Sequence, residues 1–236
     1  MYISGLQKIT LLDYPGFVAC TVFTAGCNFR CPFCHNASLA LPERRAERIP
    51  TDEVLAFLGK RAGLLDGMVL SGGEPLLQED AEDFLKEVRS LGYRIKLDTN
   101  GSFPEKLEAL AEQGLLDYVA MDIKAAPALY GQAAGLHGAD FDAVSRSIRF
   151  LLKGSVPYEF RTTVVCGLHT EENLLELADY IRGADAYYLQ QYRDSGDILR
   201  PEGLSAFSDD EMRALEERLK PVIPGVRLRG VDETIG

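Results

Sequence analysis

The sequence alternates between two kinds of segment along most of its length, and this alternation limits the folds open to it. Short runs rich in β-branched and aromatic residues predict six strands, at 17–25, 67–73, 93–101, 118–125, 158–167 and 186–192. Segments of helical period predict six helices, at 51–63, 78–91, 104–114, 139–153, 171–182 and 208–219. Strict alternation of this kind predicts an α/β fold with a parallel sheet and right-handed crossovers.

The number of units decides between the two common architectures of this class. A complete TIM barrel has eight strands and usually takes about 250 residues, whereas this chain has 236 residues and six predicted units. The sequence has neither G-x-G-x-x-G nor a Walker phosphate loop, the fingerprints that would favour a doubly wound sheet. We therefore predict a partial (β/α)6 TIM-type barrel in a single domain, 1–236. Its expected parts are an N-terminal extension at 1–16, the six units at 17–192, and a C-terminal helix and tail at 193–236.

Composition excludes several classes of function. The formal net charge is −11 and no basic tract occurs, so we expect no nucleic-acid partner. The N-terminus does not read as a signal peptide, and no apolar run reaches about 18 residues, so we expect no membrane span. Five cysteines in a chain of this length do not make a secreted disulfide scaffold. These features predict a cytoplasmic protein in a reducing compartment.

Three of the five cysteines, Cys27, Cys31 and Cys34, lie within eight residues after the first predicted strand, in "CNFRCPFC". A structural zinc site needs four ligands, and only His35 or a distant residue could be the fourth. An iron–sulfur cubane is bound by cysteines at such short spacings, and three thiolates would leave one iron open. We favour the cluster and keep zinc as the alternative.

The other cysteines and histidines fit plainer roles. Cys20 alternates with Val18 and Val22 on one predicted strand face and is expected in the core, and Cys166 is also expected to be packed. His137 and His169 lie in polar segments and are expected at the surface.

Polar and glycine residues collect where predicted strands end, in "SGGEP" (71–75), "DTNG" (98–101), "DIK" (122–124) and "QQY" (190–192). The carboxyl ends of parallel strands meet at one edge of a β/α fold, and that edge carries the ligand. These segments and the cysteines are therefore expected to face one site.

The motif C-x3-C-x-aromatic-C at Cys27, Cys31, Phe33 and Cys34 resembles that of the radical S-adenosylmethionine (radical SAM) enzymes. The segment "SGGEP" resembles the motif on the second strand of that family. "GLQKITLLDYPG", "VFTAGCNFRCPFCHN", "DTNG" and "MDIK" are similar to the glycyl-radical enzyme activases, especially the activating proteins of anaerobic ribonucleoside-triphosphate reductase. That group folds as a partial (β/α)6 barrel, which agrees with the count of units.

The resemblance implies a role for each matching residue. The three cysteines would hold a [4Fe–4S] cluster whose open iron binds S-adenosylmethionine. Further cofactor contacts are implied for Phe33 and His35 at the adenine, for Gly72, Gly73 and Glu74 at the amino group, and for Asp122, Lys124 and Arg161 near the carboxylate. Asp98, Thr99, Met121 and Asp122 match positions of a monovalent-cation site. The relative has a ribose-contacting histidine where this chain reads "QQYRDSG", so Gln191, Tyr192 or Arg193 would replace it.

The implied reaction is reductive cleavage of S-adenosylmethionine to a 5′-deoxyadenosyl radical, which removes hydrogen from a glycine Cα of a partner glycyl-radical enzyme. The expected partner is an anaerobic ribonucleotide reductase, and the expected electron donor is of flavodoxin or ferredoxin type. One alternative is a radical SAM oxidoreductase acting on a small molecule or peptide. Another is a non-catalytic module that binds zinc or an iron–sulfur cluster.

Overall fold

The computed structural model describes residues 1–41, 47–136 and 141–231, which form one sheet with helices between its strands. The strands are β1 (Ile3–Thr10), β2 (Ala19–Thr24), β3 (Gly67–Gly72), β4 (Arg94–Thr99), β5 (Tyr118–Asp122), β6 (Tyr158–Val164), β7 (Tyr187–Gln191) and β8 (Val226–Arg229). The helices are α1 (Ala37–Ala40), α2 (Thr51–Arg61), α3 (Ala81–Ser90), α4 (Pro104–Glu112), α5 (Tyr130–Ala134), α6 (Phe141–Leu152), α7 (Glu171–Tyr180) and α8 (Asp209–Leu219).

The strands lie in the sheet in the same order as in the chain, from β1 at one edge to β8 at the other. Every pairing from β2 to β8 is parallel, so each βα unit places its next strand beside the last. Within the described ranges, β1 and β8 are not paired with each other, and the barrel stays open between them. The predicted fold class, a partial TIM-type barrel, is confirmed.

The six predicted strands correspond to β2–β7, but the sheet has two strands that the sequence did not indicate. β1 lies in the segment predicted as an extension without a strand, and it pairs antiparallel with β2. Its middle residues Gln7, Lys8 and Ile9 are exposed, so the segment lacks the apolar run of a buried strand. β8 has only four residues, "VRLR", which is too short for its alternation to stand out.

The six predicted helices are α2, α3, α4, α6, α7 and α8, and their ends agree with the prediction to within three residues. Residues 139–140 of the predicted fourth helix lie outside the described residues. α2 begins at Thr51, and Pro50 holds its cap position. At α8, Ser208 and Glu211 form a capping box, which fixes its first turn. No helix within the described ranges is long and apolar enough to cross a bilayer.

Alternation along each strand decides which side chains reach the barrel interior. On β3, Met68 and Leu70 join the main core, which also contains the buried faces of helices such as α3. Val69 points the other way and packs with Tyr14 in a separate small cluster. Ser71, two residues on, lines a cavity above that cluster. The interior is therefore layered, with an apolar floor and a polar mouth.

Tyr14 closes the floor of the barrel, at the amino ends of the strands. Its side chain is buried and contacts Phe17 edge-on, with ring centroids 4.9 Å apart. A Cβ on Gly67 would lie 2.8 Å from the Tyr14 ring, so only glycine leaves room for it there. Asp13 accepts a 2.6 Å hydrogen bond from Thr21 on β2 and holds the segment in place. Within the "LLDYPG" segment, it is Tyr14 that covers this end of the barrel, while Leu11 and Leu12 are exposed.

Candidate active site

A cavity of about 260 Å³ lies at the carboxyl ends of β2–β7. All three clustered cysteines line it, and twelve of the seventeen residues predicted for the site are present. They are Cys27, Cys31, Cys34, Phe33, His35, Gly72, Gly73, Asp98, Thr99, Asp122, Lys124 and Arg161. The predicted residues that do not line this cavity are Glu74, Met121, Gln191, Tyr192 and Arg193. The fold therefore brings most of the dispersed motifs to one place, as the parallel sheet requires.

The cysteine loop, residues 27–34, follows β2 and is held by its own backbone. The Arg30 guanidinium donates hydrogen bonds of 2.6 and 2.7 Å to the carbonyls of Cys27 and Phe29, which folds the loop back on itself. The Cys34 amide donates to the Cys31 carbonyl at 3.0 Å. Burial raises the pKa of the Cys27 thiol to about 11 and that of Cys31 to about 12. The sulfurs of Cys27 and Cys31 thus lie in a poorly hydrated part of the cavity wall.

A segment after β7, residues 195–200, crosses over the cysteine loop and is bonded to it along its length. The amides of Leu199 and Arg200 donate to the carbonyls of Cys34 and Pro32 at 3.1 and 2.9 Å. The Asp197 carboxylate accepts from the Ser38 amide at 3.1 Å, at the first turn of α1. We call residues 195–200 the strap. Their sequence, "SGDILR", has no strand or helix pattern, so it did not indicate this contact with the cysteine loop.

The bottom of the cavity is a network of charged side chains from β4, β5 and β6, together with Lys124, which lies two residues after β5. Arg161 donates to Asp122 at 2.7 Å and lies 3.6 Å from Asp98. Lys124 lies 3.3 Å from the second oxygen of Asp122, and Lys96 lies 2.6 Å from Asp98. Arg161 also lies 3.9 Å from Glu159, which pairs with Arg229. With that pair counted, four cations face three carboxylates, and the one positive charge left over suits an anionic ligand group.

The network sets the protonation states of its members. Burial raises the pKa of the Asp122 carboxyl, but Arg161 and then Lys124 outweigh it and hold that pKa well below its usual range. Burial likewise lowers the pKa of Lys124, and Asp122 outweighs it, so that the pKa lies at about 12. Asp122 and Lys124 are therefore both charged near neutral pH.

Lys96 is a member of this network that sequence reasoning missed. It is 2% exposed and projects inward from β4, two residues before Asp98. Its charge occupies the surroundings predicted for a monovalent cation, where Asp98 and Asp122 already pair with cationic side chains. Among the described residues, no group of three or more His, Cys, Asp or Glu side chains converges on a single metal ion; an iron–sulfur cluster differs, because each of its irons takes one thiolate. The monovalent-cation site stays a prediction.

Glu74 lies behind the cavity wall rather than on it. Its side chain is fully buried, and its two oxygens accept hydrogen bonds from the Leu76 amide, the Thr99 hydroxyl and the Asn100 amide at 3.0, 2.9 and 2.7 Å. Burial raises the pKa of this carboxyl to about 7 against the effect of the three donors. The carboxylate thus joins the ends of β3 and β4, while Gly72 and Gly73 present their backbone to the cavity.

Gln190, not Gln191, faces the cavity from β7. Successive side chains of a strand point to opposite faces, so a one-residue shift exchanges the two glutamines. Gln191 donates to the Phe207 carbonyl at 2.9 Å and to Asp209 at 2.8 Å, which ties β7 to the start of α8. Gln190 lines the 260 Å³ cavity that contains the three cysteines, here called the cysteine cavity, and makes no side-chain hydrogen bond to another described residue.

A second cavity of about 320 Å³ adjoins the first on the side of β7 and β8. Phe33, His35, Thr163 and Gln190 line both cavities, so the two share a wall. Gln191, Tyr192 and Arg193, the three predicted ribose contacts, line only this lateral cavity.

The remaining cysteines and histidines are only partly as predicted. Cys20 is fully buried in the core, which confirms its prediction. Cys166 is exposed, so its predicted packing is wrong: it follows the end of β6, where the chain has left the core. His137 lies outside the described residues.

His169 was predicted at the surface, but its side chain is buried. Its Nδ1 accepts from the Val165 amide at 3.1 Å, and its Nε2 donates to the Lys124 carbonyl at 2.8 Å. Its ring meets that of Phe33 edge-on at 6.2 Å. His169 thus supports the two site residues Lys124 and Phe33, and a histidine after a strand carried no signal for this.

Comparison with known proteins identifies the class of enzyme. The Radical SAM superfamily model matches residues 21–181. A protein of Methanocaldococcus jannaschii, named as a glycyl-radical enzyme activating enzyme, is 31% identical over 98% of this chain and 97% of its own length. An AdoMet-dependent heme synthase of Methanosarcina barkeri is also 31% identical, over 89% of this chain but 58% of that protein.

Solved structures agree on the fold. Streptococcus suis SuiB bound to the precursor peptide SuiA superposes with a TM-score of 0.71 at 15% identity, over 89% of this chain. SuiB bound to S-adenosylmethionine superposes with a TM-score of 0.69. This chain spans about half the length of those structures. The chain is therefore a member of the radical SAM superfamily, an enzyme family whose cofactors are a [4Fe–4S] cluster and S-adenosylmethionine.

Proposed function

We propose that this enzyme activates a glycyl-radical enzyme by removing a hydrogen atom from a glycine Cα of that partner. The observation that carries the proposal is the reach of the match to the M. jannaschii activating enzyme, which extends over nearly all of both chains. The match to the heme synthase covers only 58% of that longer protein. A match along nearly the whole of both sequences supports activase chemistry better than a match to part of a relative supports that relative's chemistry.

The donor set of the cavity fits the cluster. Cys27, Cys31 and Cys34 would each hold one iron, and the other two cysteines of the chain lie elsewhere, in the core and at the surface. One iron would therefore keep an open position for S-adenosylmethionine. Phe29 and Phe33 are buried beside the thiols and would exclude water from the cluster. When bound, the cluster and S-adenosylmethionine supply a reductive cleavage that yields a hydrogen-abstracting radical.

The polar groups of the cavity fit the methionine end of the cofactor. Lys124 and Arg161 would bind its carboxylate, because the charged network to which they belong has one more positive than negative group. The backbone of Gly72 and Gly73 would receive its amino group, and Glu74 would hold that backbone from behind. Phe33 and His35 would flank the adenine, and Gln190 would take the place at the ribose that the sequence assigned to Gln191.

The lateral cavity supports a polypeptide substrate. It adjoins the cysteine cavity at the open side of the barrel, and its wall carries amide, hydroxyl and guanidinium groups. The Tyr192 hydroxyl there is buried, and no described residue forms a hydrogen bond with it. An incomplete barrel can admit a loop of another protein at this side, so that a backbone glycine reaches the cofactor. We propose an anaerobic ribonucleotide reductase as the partner and a flavodoxin or ferredoxin as the electron donor.

The test is electron paramagnetic resonance of the reduced, reconstituted enzyme mixed anaerobically with S-adenosylmethionine and the candidate partner. A glycyl-radical doublet is expected, and it should be absent with a Cys31→Ala enzyme or a partner whose radical glycine is alanine. Production of 5′-deoxyadenosine with a small molecule or free peptide, and no doublet with any partner, would favour the alternative radical SAM oxidoreductase. A colourless protein holding one zinc would contradict both.

A further inference from the structure

We infer that Asn100 is a positioning residue for Cys27, and that its side-chain amide raises the reduction potential of the cluster. Asn100 follows β4 in "DTNG" and is 6% exposed. Its Nδ2 lies 3.9 Å from the Cys27 sulfur and donates to the Asn28 side-chain oxygen at 3.0 Å. It thus contacts both the first cysteine and its neighbour, from a strand that is remote in sequence.

The orientation of this amide follows from its other partners. The Asn100 Oδ1 accepts two hydrogen bonds from Ser102, one from the amide at 2.9 Å and one from the hydroxyl at 2.6 Å. Ser102 accepts in turn from the Asn28 side chain at 2.9 Å, which closes a ring of three residues. Because two donors face the oxygen, the NH2 group must face the sulfur.

The backbone of Asn100 is fixed as firmly as its side chain. Its amide donates to Glu74 at 2.7 Å, and the Thr99 hydroxyl donates to the same carboxylate at 2.9 Å. The Gly101 amide then donates to the Thr99 hydroxyl at 3.1 Å. Glu74 therefore fixes the end of β4, and the Asn100 side chain is held in a fixed position next to Cys27.

A donor aimed at a ligand sulfur has an electrostatic consequence. A hydrogen bond to sulfur withdraws negative charge and makes the reduced cluster, which carries one more electron, easier to form. Cys27 already accepts from the Phe29 amide at 3.3 Å, and Asn100 adds a side-chain donor. The inference rests on the proposed cluster ligation by Cys27 but not on the proposed substrate.

The test is an EPR-monitored redox titration of reconstituted Asn100→Asp and Asn100→Ala enzymes. Asn100→Asp keeps the oxygen that Ser102 requires and replaces the donor by an acceptor. We expect a more negative midpoint potential than wild type in both variants, with the larger shift in Asn100→Asp. Asn173→Asp, a matched change at the start of α7, should titrate like wild type.

Two readings separate this role from a structural one. Far-ultraviolet circular dichroism and iron per chain should match wild type in at least the alanine variant, so that the shift in potential is not a folding effect. Midpoint potentials equal to wild type in both Asn100 variants would overturn the inference. A wild-type enzyme that assembles its cluster but forms no glycyl radical would contradict the proposed function and leave this titration as informative as before.

Discussion

Replacement of Gly73 by alanine is predicted to displace the cysteine loop. Gly73 lies where the end of β3 passes close to the backbone that leads into the loop. A Cβ at this position would lie 2.1 Å from the Gly26 carbonyl oxygen, whereas ordinary contacts begin at 3.4 Å. The obstacle is backbone rather than a flexible side chain, so the two segments would have to separate by about 1.3 Å.

The cost can be worked from the bonds that this separation breaks. The Gly73 amide donates to the Thr24 carbonyl at 3.0 Å, and the Glu74 amide donates to the Gly26 carbonyl at 2.8 Å. A buried backbone group left without its partner costs about 1–3 kcal/mol. With two such bonds broken, we expect Gly73→Ala to lower the free energy of unfolding by about 2–6 kcal/mol, and the melting temperature by about 4–24 °C.

The assay is thermal unfolding of the metal-free protein followed by circular dichroism, with iron and sulfide per chain measured after anaerobic reconstitution. Gly59→Ala is the matched control, because a Cβ there meets nothing within 4 Å and the residue lies inside α2. That change should stabilise the protein by about 1 kcal/mol. A Gly73→Ala protein that melts with wild type and takes up a full cluster would refute the proposed support of the loop by β3.

Three further predictions follow from the site. Burial lowers the pKa of His169 below its usual 6.5, so protonation of this side chain favours the unfolded chain. In urea titrations, wild type should therefore be more stable than His169→Leu by a margin that shrinks as pH falls from about 7 to about 5.5, and a constant margin would contradict this. Gln190→Ala should raise the KM for S-adenosylmethionine more than Gln191→Ala, and the reverse order would return Gln191 to the site. Lys96→Met leaves Asp98 partly unpaired in a buried network and should lower the free energy of unfolding in urea by about 3 kcal/mol. Adding Asp98→Asn should recover part of that stability, and a double variant no more stable than Lys96→Met would argue against the pairing.

The fold was largely predictable because the six strands β2–β7 are mostly buried or half-buried, and their β-branched and aromatic residues stand out in the sequence. β1 and β8 were not, since the first has an exposed middle and the second has four residues. Both lie at edges of the sheet, where partial exposure removes the pattern that marks a central strand. Their absence from the prediction did not affect the fold class.

The site was predictable where a motif places a residue beside the cavity, and less so where orientation matters. Glu74 belongs to the expected segment, yet its carboxylate turns away to join two strands. Gln190 and Gln191 differ only in which strand face they occupy, and identical residue types give no clue to that register. Lys96 looks like a solvated lysine in sequence, because it lies outside the "DTNG" motif and only the strand brings its ammonium group to Asp98.

His169 and the strap at 195–200 show a different limit. Both act through backbone groups, His169 on the Lys124 carbonyl and the strap on the carbonyls of the cysteine loop. Contacts to backbone place no requirement on the residue type of the partner, so a single sequence does not indicate them.

Hydrogen abstraction from a glycine Cα can be followed by isotope transfer. The partner enzyme would be prepared with dideuterated glycine, and the 5′-deoxyadenosine formed by the reduced enzyme would be analysed by mass spectrometry. We expect one deuterium per 5′-deoxyadenosine molecule during the first turnover, together with a glycyl-radical signal in the partner. Unlabelled 5′-deoxyadenosine, formed at the same rate with or without the partner, would contradict this expectation.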